Sequence, residues 1–162
     1  MSEPVLNDDF RDFLVALQEA DVRFLIVGAH ALAVHGVPRA TGDIDVFVAP
    51  DPENAARLMR ALDLFGAPVV SHGVSQQDFE RPGTVYQMGL PPSRIDIMTS
   101  ISGVEFGEAE QSVVETEIAD IRLPVLGRRL LLVNKLAAGR PKDLVDAQLL
   151  EEEADREPEK GK

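Results

Sequence analysis

From Asp43 to Val48, after Thr41-Gly42, acidic and aliphatic side chains alternate, Asp43-Ile44-Asp45-Val46, and the run closes on Phe47-Val48. Successive side chains of a strand point to opposite faces. The pattern therefore predicts a strand that buries Ile44, Val46 and Val48 and sets Asp43 and Asp45 on the other face, about 6.5–7 Å apart at Cα. Two carboxylates at the head of an apolar strand repel each other, and burial raises the cost of ionising both. A divalent cation removes that conflict, and oxygen-only ligands point to magnesium or manganese rather than zinc. Taken alone, a solvated strand end explains the pair about as well.

The rest of the chain alternates helical and extended patterns. Phe10, Phe13, Leu14 and Leu17 predict a helix from Asp8 to Ala20 with Asn7 as its cap. Phe24 to Gly28 fits a short buried strand that runs into an alanine-rich helix, Ala29 to His35, closed by Gly36 and Pro38. Pro52 opens a helix that stops at Gly66, a strand is expected at Val69-Val70, and Ser75 with Asp78 has the spacing of a capping box. Thr84 to Gly89 and Arg94 to Met98 read as strands joined by the turn Leu90-Pro-Pro-Ser93, with a short helix near Phe106 to Gln111 and a last strand at Ile121 to Leu126. Two helices are expected at the end, Arg128 to Ala138 and Pro141 to Leu150. The fold class is α/β (α+β), with a mixed sheet of about four to six strands.

Composition limits what such a fold can do. The 162 residues, 44% hydrophobic and 27% charged, suit a single domain, expected over residues 1–150, followed by a charged, flexible tail or frayed helix end over 151–162. Cysteine is absent, which excludes disulfides, thiol nucleophiles and zinc-thiolate sites. The net charge of -12 disfavours long nucleic acid and anionic membranes as partners. An acidic N-terminus and the lack of a long apolar run lead to the expectation of a cytoplasmic protein.

A third acid strengthens the metal reading. Arg94-Ile95-Asp96-Ile97-Met98 repeats the alternation, and if its strand neighbours the first, Asp96 joins Asp43 and Asp45. Three converging carboxylates are a poor structural choice and a good two-metal site; the bland alternative for Asp96 is an ion pair with Arg94. Upstream, Val27-Gly28-Ala29 is a strand-to-helix junction whose free N–H groups could seat a phosphate. His30 and His35, five apart, do not share a helix face and read as helix or core histidines.

In combination these motifs resemble the nucleotidyltransferases of the DNA polymerase β superfamily, with Gly28-Ala29, then Asp43-Ile-Asp45, then Asp96. GAHALAVHGVPRATGDIDVFV, RIDIMT and NKLAAGRPKDLVDAQLL look like the small prokaryotic members related to abortive-infection and type IV toxin–antitoxin proteins, over roughly Phe24 to Leu150. The resemblance implies a nucleotidyltransferase-like mixed sheet flanked by helices, and transfer of a nucleoside monophosphate from a triphosphate (NTP) to a hydroxyl acceptor. It also implies Mg2+ or Mn2+ on Asp43, Asp45 and Asp96, with Asp96 helping to deprotonate the acceptor. Gly28, Ala29, Arg39 and Thr41 would lie at the nucleotide, and Lys135 and Asp143 stand where the family places a lysine and an acid on late helices. Ala29 replaces the usual serine, so only backbone donors remain there. The acceptor is left open among a small molecule, a tRNA end and a protein, and a partner protein is possible. The alternative is a noncatalytic binding or antitoxin-like protein that keeps the fold. An Asp-x-Asp glycosyltransferase would need a longer chain.

Overall fold

A computed structural model describes residues 6–156. Along the chain come α1 (Asp8–Glu19), β1 (Phe24–Val27), α2 (Gly28–Val34), β2 (Asp43–Val48) and α3 (Pro52–Phe65). After a 3-10 turn at Gln76–Phe79 follow β3 (Val85–Met88), β4 (Arg94–Met98), α4 (Phe106–Glu110), β5 (Val114–Ile118), β6 (Ile121–Val125), α5 (Arg128–Ala138) and α6 (Pro141–Arg156).

Local chemistry sets most of these boundaries. Asn7 Oδ1 accepts the Phe10 N–H at 2.9 Å and starts α1, whose Phe10, Phe13, Leu14 and Leu17 are buried. Asp51 caps α3 through the Asn54 N–H, Pro52 occupies the first turn, and Gly66 ends the helix in the left-handed conformation at φ 87°. Ser75 and Asp78 make the expected capping box. The two helices α1 and α3 meet through an edge-on ring contact of Phe13 with Phe65, 5.5 Å between centroids.

The six strands form one mixed sheet in the order β3-β4-β2-β1-β6-β5. Strand β1 is antiparallel to β2 and parallel to β6, and β2 is parallel to β4. Strands β3 and β5 are the antiparallel outer partners of β4 and β6. Ile44, Val46, Ile95 and Ile97 lie on the core side, as their alternation predicts. The wholly buried Asn54 locks β1 to β2. Its Oδ1 accepts from the Arg23 N–H, and its amide donates to the Arg23 and Ala49 carbonyls.

Three expectations need correction. Val69-Val70 is not a strand; it lies in successive turns that bond Val69 N–H to Ala67 O and Val74 N–H to Val69 O, and Val70 is 90% exposed. Pro68 and Gly73, the latter at φ 68°, bracket the two valines with turn residues that bend the chain before a strand can extend. Strand β5 was not expected, although Val114-Glu-Thr-Glu-Ile118 alternates as an edge strand should. Its hairpin to β6 turns on Ala119 and Asp120, both at positive φ, so the usual glycine signal is missing. Helix α6 runs six residues past Leu150, with Glu153 packed beside Gly36. Residues 151–156 of the expected tail are therefore helical, and 157–162 lie outside the described residues.

Candidate active site

The parallel pairing of β2 with β4 sets Asp45 opposite Asp96 and Asp43 opposite Arg94. These side chains share one sheet face, and an oxygen from each of Asp43, Asp45 and Asp96 lies within 4.8 Å of the others. The convergence that the two alternating segments suggest is thus present. So is the ion pair weighed against it: Arg94 Nη2 donates to Asp43 Oδ2 at 2.7 Å and to Asp96 Oδ2 at 3.0 Å.

Each carboxylate feels its surroundings differently. Burial pushes Asp45 up to about 7, reinforced by a hydrogen bond with Asp96 and by the charges of Asp43 and Asp96, while Arg94 works in the opposite sense. Burial also raises Asp43, but the Thr41 hydroxyl and Arg94 outweigh it and hold the group below the ordinary carboxylate value. Thr41 Oγ1 donates to Asp43 Oδ1 and accepts from the Asp43 N–H at 3.2 Å. Asp96 is 4% exposed and lies deepest of the three.

Gly28, the first residue of α2, closes the triad where β1 ends. Its φ is +72°, and a Cβ there would lie 2.0 Å from Asp45 Oδ2. Only glycine lets the strand end and the carboxylate approach so closely. The next residue, Ala29, lies in the first turn of α2, whose N-terminal N–H groups have no side-chain cap. His35 is a satisfied core histidine, with Nε2 2.8 Å from the Leu126 carbonyl oxygen. His30 packs edge-on to Phe10, its Nδ1 buried without a partner, and burial lowers its pKa.

A cleft of about 800 Å³ opens over Asp43 and Asp45, and Gly28, Ala29, Arg39 and Thr41 line it. Its far wall comes from the α5–α6 hairpin: Lys135, Arg140, Lys142, Asp143 and Asp146. The sequence leaves Lys135 and Asp143 on one face only if a single helix passes through Gly139 and Pro141. The helix instead breaks at Gly139, φ 67°, and the packing of α6 on α5 brings the two together, Lys135 Nζ to Asp143 Oδ1 at 3.4 Å. Lys135 also reaches Asp146 Oδ2 at 3.2 Å, and Arg39 pairs with the same carboxylate. Burial lowers the Lys135 pKa, opposed chiefly by Asp143.

The donor set suits a hard divalent cation. Three carboxylates within 4.8 Å supply oxygen alone, the ligand type such an ion prefers.

Residues 12–160 match the family described as nucleotidyl transferase AbiEii toxin, of type IV toxin–antitoxin systems. The chain belongs to this family. AbiEii proteins are nucleotidyltransferases, and the protein is an enzyme of that class. No curated protein sequence matches the chain.

Solved structures share the AbiEii chain's fold at low identity. A protein from Thermotoga maritima, assigned as a nucleotidyltransferase, is 16% identical with a TM-score of 0.52, covering 94% of this chain and 97% of that one. The antibiotic-resistance factor ANT(2'')-Ia is 15% identical with a TM-score of 0.57, covering 91% and 85%. A lincosamide antibiotic adenylyltransferase, LnuA, solved with lincomycin bound, is 14% identical with a TM-score of 0.50, covering 92% and 98%.

Arg94 and Asp146 escape a reading of the sequence for site residues, as do Asn134, Arg140 and Lys142 on the cleft lining. Arg94 is two residues before Asp96 on one strand face, and Asp146 is three after Asp143 on one helix face, so both spacings were available as signals. Asn134 had none, because its bond to the Ser102 carbonyl at 2.9 Å joins α5 to the loop after β4 across long sequence separation.

Proposed function

We propose that this protein transfers a nucleoside monophosphate from an NTP to a hydroxyl acceptor and releases pyrophosphate, with Mg2+ or Mn2+ held by Asp43, Asp45 and Asp96. The observation that carries the proposal is the meeting of those three carboxylates, with Asp43 and Asp45 lining a cleft that Lys135, Arg140 and Lys142 also line and Asp96 buried behind them. A bound divalent cation supplies neutralisation of phosphate charge and a fixed orientation of the triphosphate.

The chain's own groups divide the remaining work. Lys135, Arg39, Arg140 and Lys142 offer positive charge to the β- and γ-phosphates, and the backbone at Gly28 and Ala29 offers N–H donors. Asp143 and Asp146 hold Lys135 in place, and Asp146 holds Arg39. The acceptor oxygen bonds to the α-phosphorus, the bond from that phosphorus to the bridging oxygen breaks, and the hydroxyl proton passes to Asp96.

The charge of -12 favours an acceptor other than long nucleic acid. A small molecule, a tRNA end or a protein fits, and membership of a toxin–antitoxin family supports an antitoxin partner. The test is label transfer from α-phosphate-labelled ATP, GTP, CTP and UTP into a whole-cell extract, with wild type and Asp45→Asn. The proposal expects metal-dependent labelling by wild type alone. Equal labelling by both proteins would place the chemistry elsewhere.

A further inference from the structure

Every oxygen of Asp43 and Asp96 already accepts a hydrogen bond from the protein. Arg94 Nη2 donates to Asp43 Oδ2 at 2.7 Å and Asp96 Oδ2 at 3.0 Å, and Arg94 Nε donates to Asp96 Oδ1 at 3.1 Å. Thr41 takes Asp43 Oδ1. Arg94 is thus a resident cation in direct contact with two of the three carboxylates assigned to the metal. Its placement is not incidental, because the sheet register sets it opposite Asp43 and on the same face as Asp96.

We propose that Arg94 and the divalent metal compete for Asp43 and Asp96, so that the metal is held firmly only together with the nucleotide's phosphates. The inference rests on the reading of the triad as a metal site. A metal ion on those oxygens would lie within a few ångströms of the guanidinium, and like charges at that range repel. Arg94 therefore either weakens the ion or gives way to it. It has a route out, since its side chain is 33% exposed whereas that of Asp96 is 6% exposed. A triphosphate reverses the balance by bringing anionic oxygens for the ion and for a displaced guanidinium alike. The device keeps the bare protein from holding a metal without its substrate.

Binding of Mn2+ to the 162-residue chain, read from loss of the free-ion electron paramagnetic resonance signal, tests this without any turnover. Wild type, Arg94→Gln and Arg94→Lys are compared with Mn2+ alone and with Mn2+ plus each of ATP, GTP, CTP and UTP. Removing one set of competing charge-assisted bonds predicts about tenfold tighter Mn2+ binding by Arg94→Gln in the absence of nucleotide. Arg94→Lys, which keeps a cation but not the planar fork, is expected between the two, and it carries the test if the glutamine variant does not unfold cooperatively. With the preferred nucleotide present, the gap between wild type and variants narrows. Equal or weaker binding of Mn2+ alone by the folded variants overturns the competition and makes Arg94 a residue that positions the carboxylates. Absence of Mn2+ binding by all three proteins, with and without nucleotides, overturns the metal site itself and the competition with it.

Discussion

Gly28 and Asp45 share a space that admits only one side chain, since a Cβ on Gly28 would meet Asp45 Oδ2 at 2.0 Å. Gly28→Ala must move either the carboxylate or the end of β1, and it does so at a backbone φ that disfavours any Cβ. We expect a loss of about 1–3 kcal/mol in urea unfolding and loss of nucleotide binding. Asp45 itself titrates in an unusual range. Its folded pKa, about 7, lies above the ordinary 3.8, so the folded state favours its protonated form. That contribution is intact below about pH 4 and is lost as pH rises through 7. Asp45→Asn keeps it at every pH. The variant should match wild type near pH 4 and exceed it at pH 8 by about 1 kcal/mol or more, a Tm difference of about 2–4 °C. Asp43, shifted in the opposite direction, is common to both proteins and largely cancels in the comparison. A difference that stays flat with pH would remove the raised Asp45 from this description. The acids themselves were legible because strand alternation needs only two neighbouring positions to declare a face.

Helix α5 and helix α6 make the far wall of the cleft, and their junction shows where spacing arguments fail. Lys135 and Asp143 are separated by a left-handed Gly139 and by Pro141, so no single-helix geometry connects them, yet the hairpin packs them to 3.4 Å. Which residues of two helices meet depends on crossing geometry, which a local pattern does not encode. Lys135→Met would leave the buried Asp143 and Asp146 with Arg140 and Arg39 as remaining partners. We expect a destabilisation of about 1–3 kcal/mol in urea unfolding, because each buried carboxylate loses one of its two cations and keeps the other. A change below about 0.5 kcal/mol, typical of surface sites, would mean that solvent rather than Lys135 serves those acids. The same limit explains β5. Its alternation is in the sequence, but the turn that pairs it uses Ala119 and Asp120 at positive φ, so no glycine announces the hairpin. Strands β2 and β4, by contrast, have the bounds their alternation predicts.

Taken as one body, the molecule sets the acidic face of β2 and β4 across a cleft from Lys135, Arg140 and Lys142 of the α5–α6 hairpin, in a chain whose net charge is -12. Among the described residues no helix is long and apolar enough to cross a membrane. The mixed sheet and membership of the nucleotidyltransferase family agree with what the motifs imply, because both rest on the order of Gly28, Asp43, Asp45 and Asp96 along strands that must pair. The acceptor was not legible, since nothing in the sequence or the cleft selects one hydroxyl compound over another. The central claim is that the triad binds a metal-escorted nucleotide. Its most direct test is thermal unfolding of wild type and Asp45→Asn with each of the four ribonucleoside triphosphates, with and without Mg2+. A nucleotide at 100 times its Kd should add about 2.7 kcal/mol to the folded wild type. The predicted result is a stabilisation by at least one nucleotide that requires Mg2+ and disappears in Asp45→Asn. Stabilisation that is indifferent to Mg2+ or unchanged in the variant, or no stabilisation by any of the four at millimolar concentration, would contradict it.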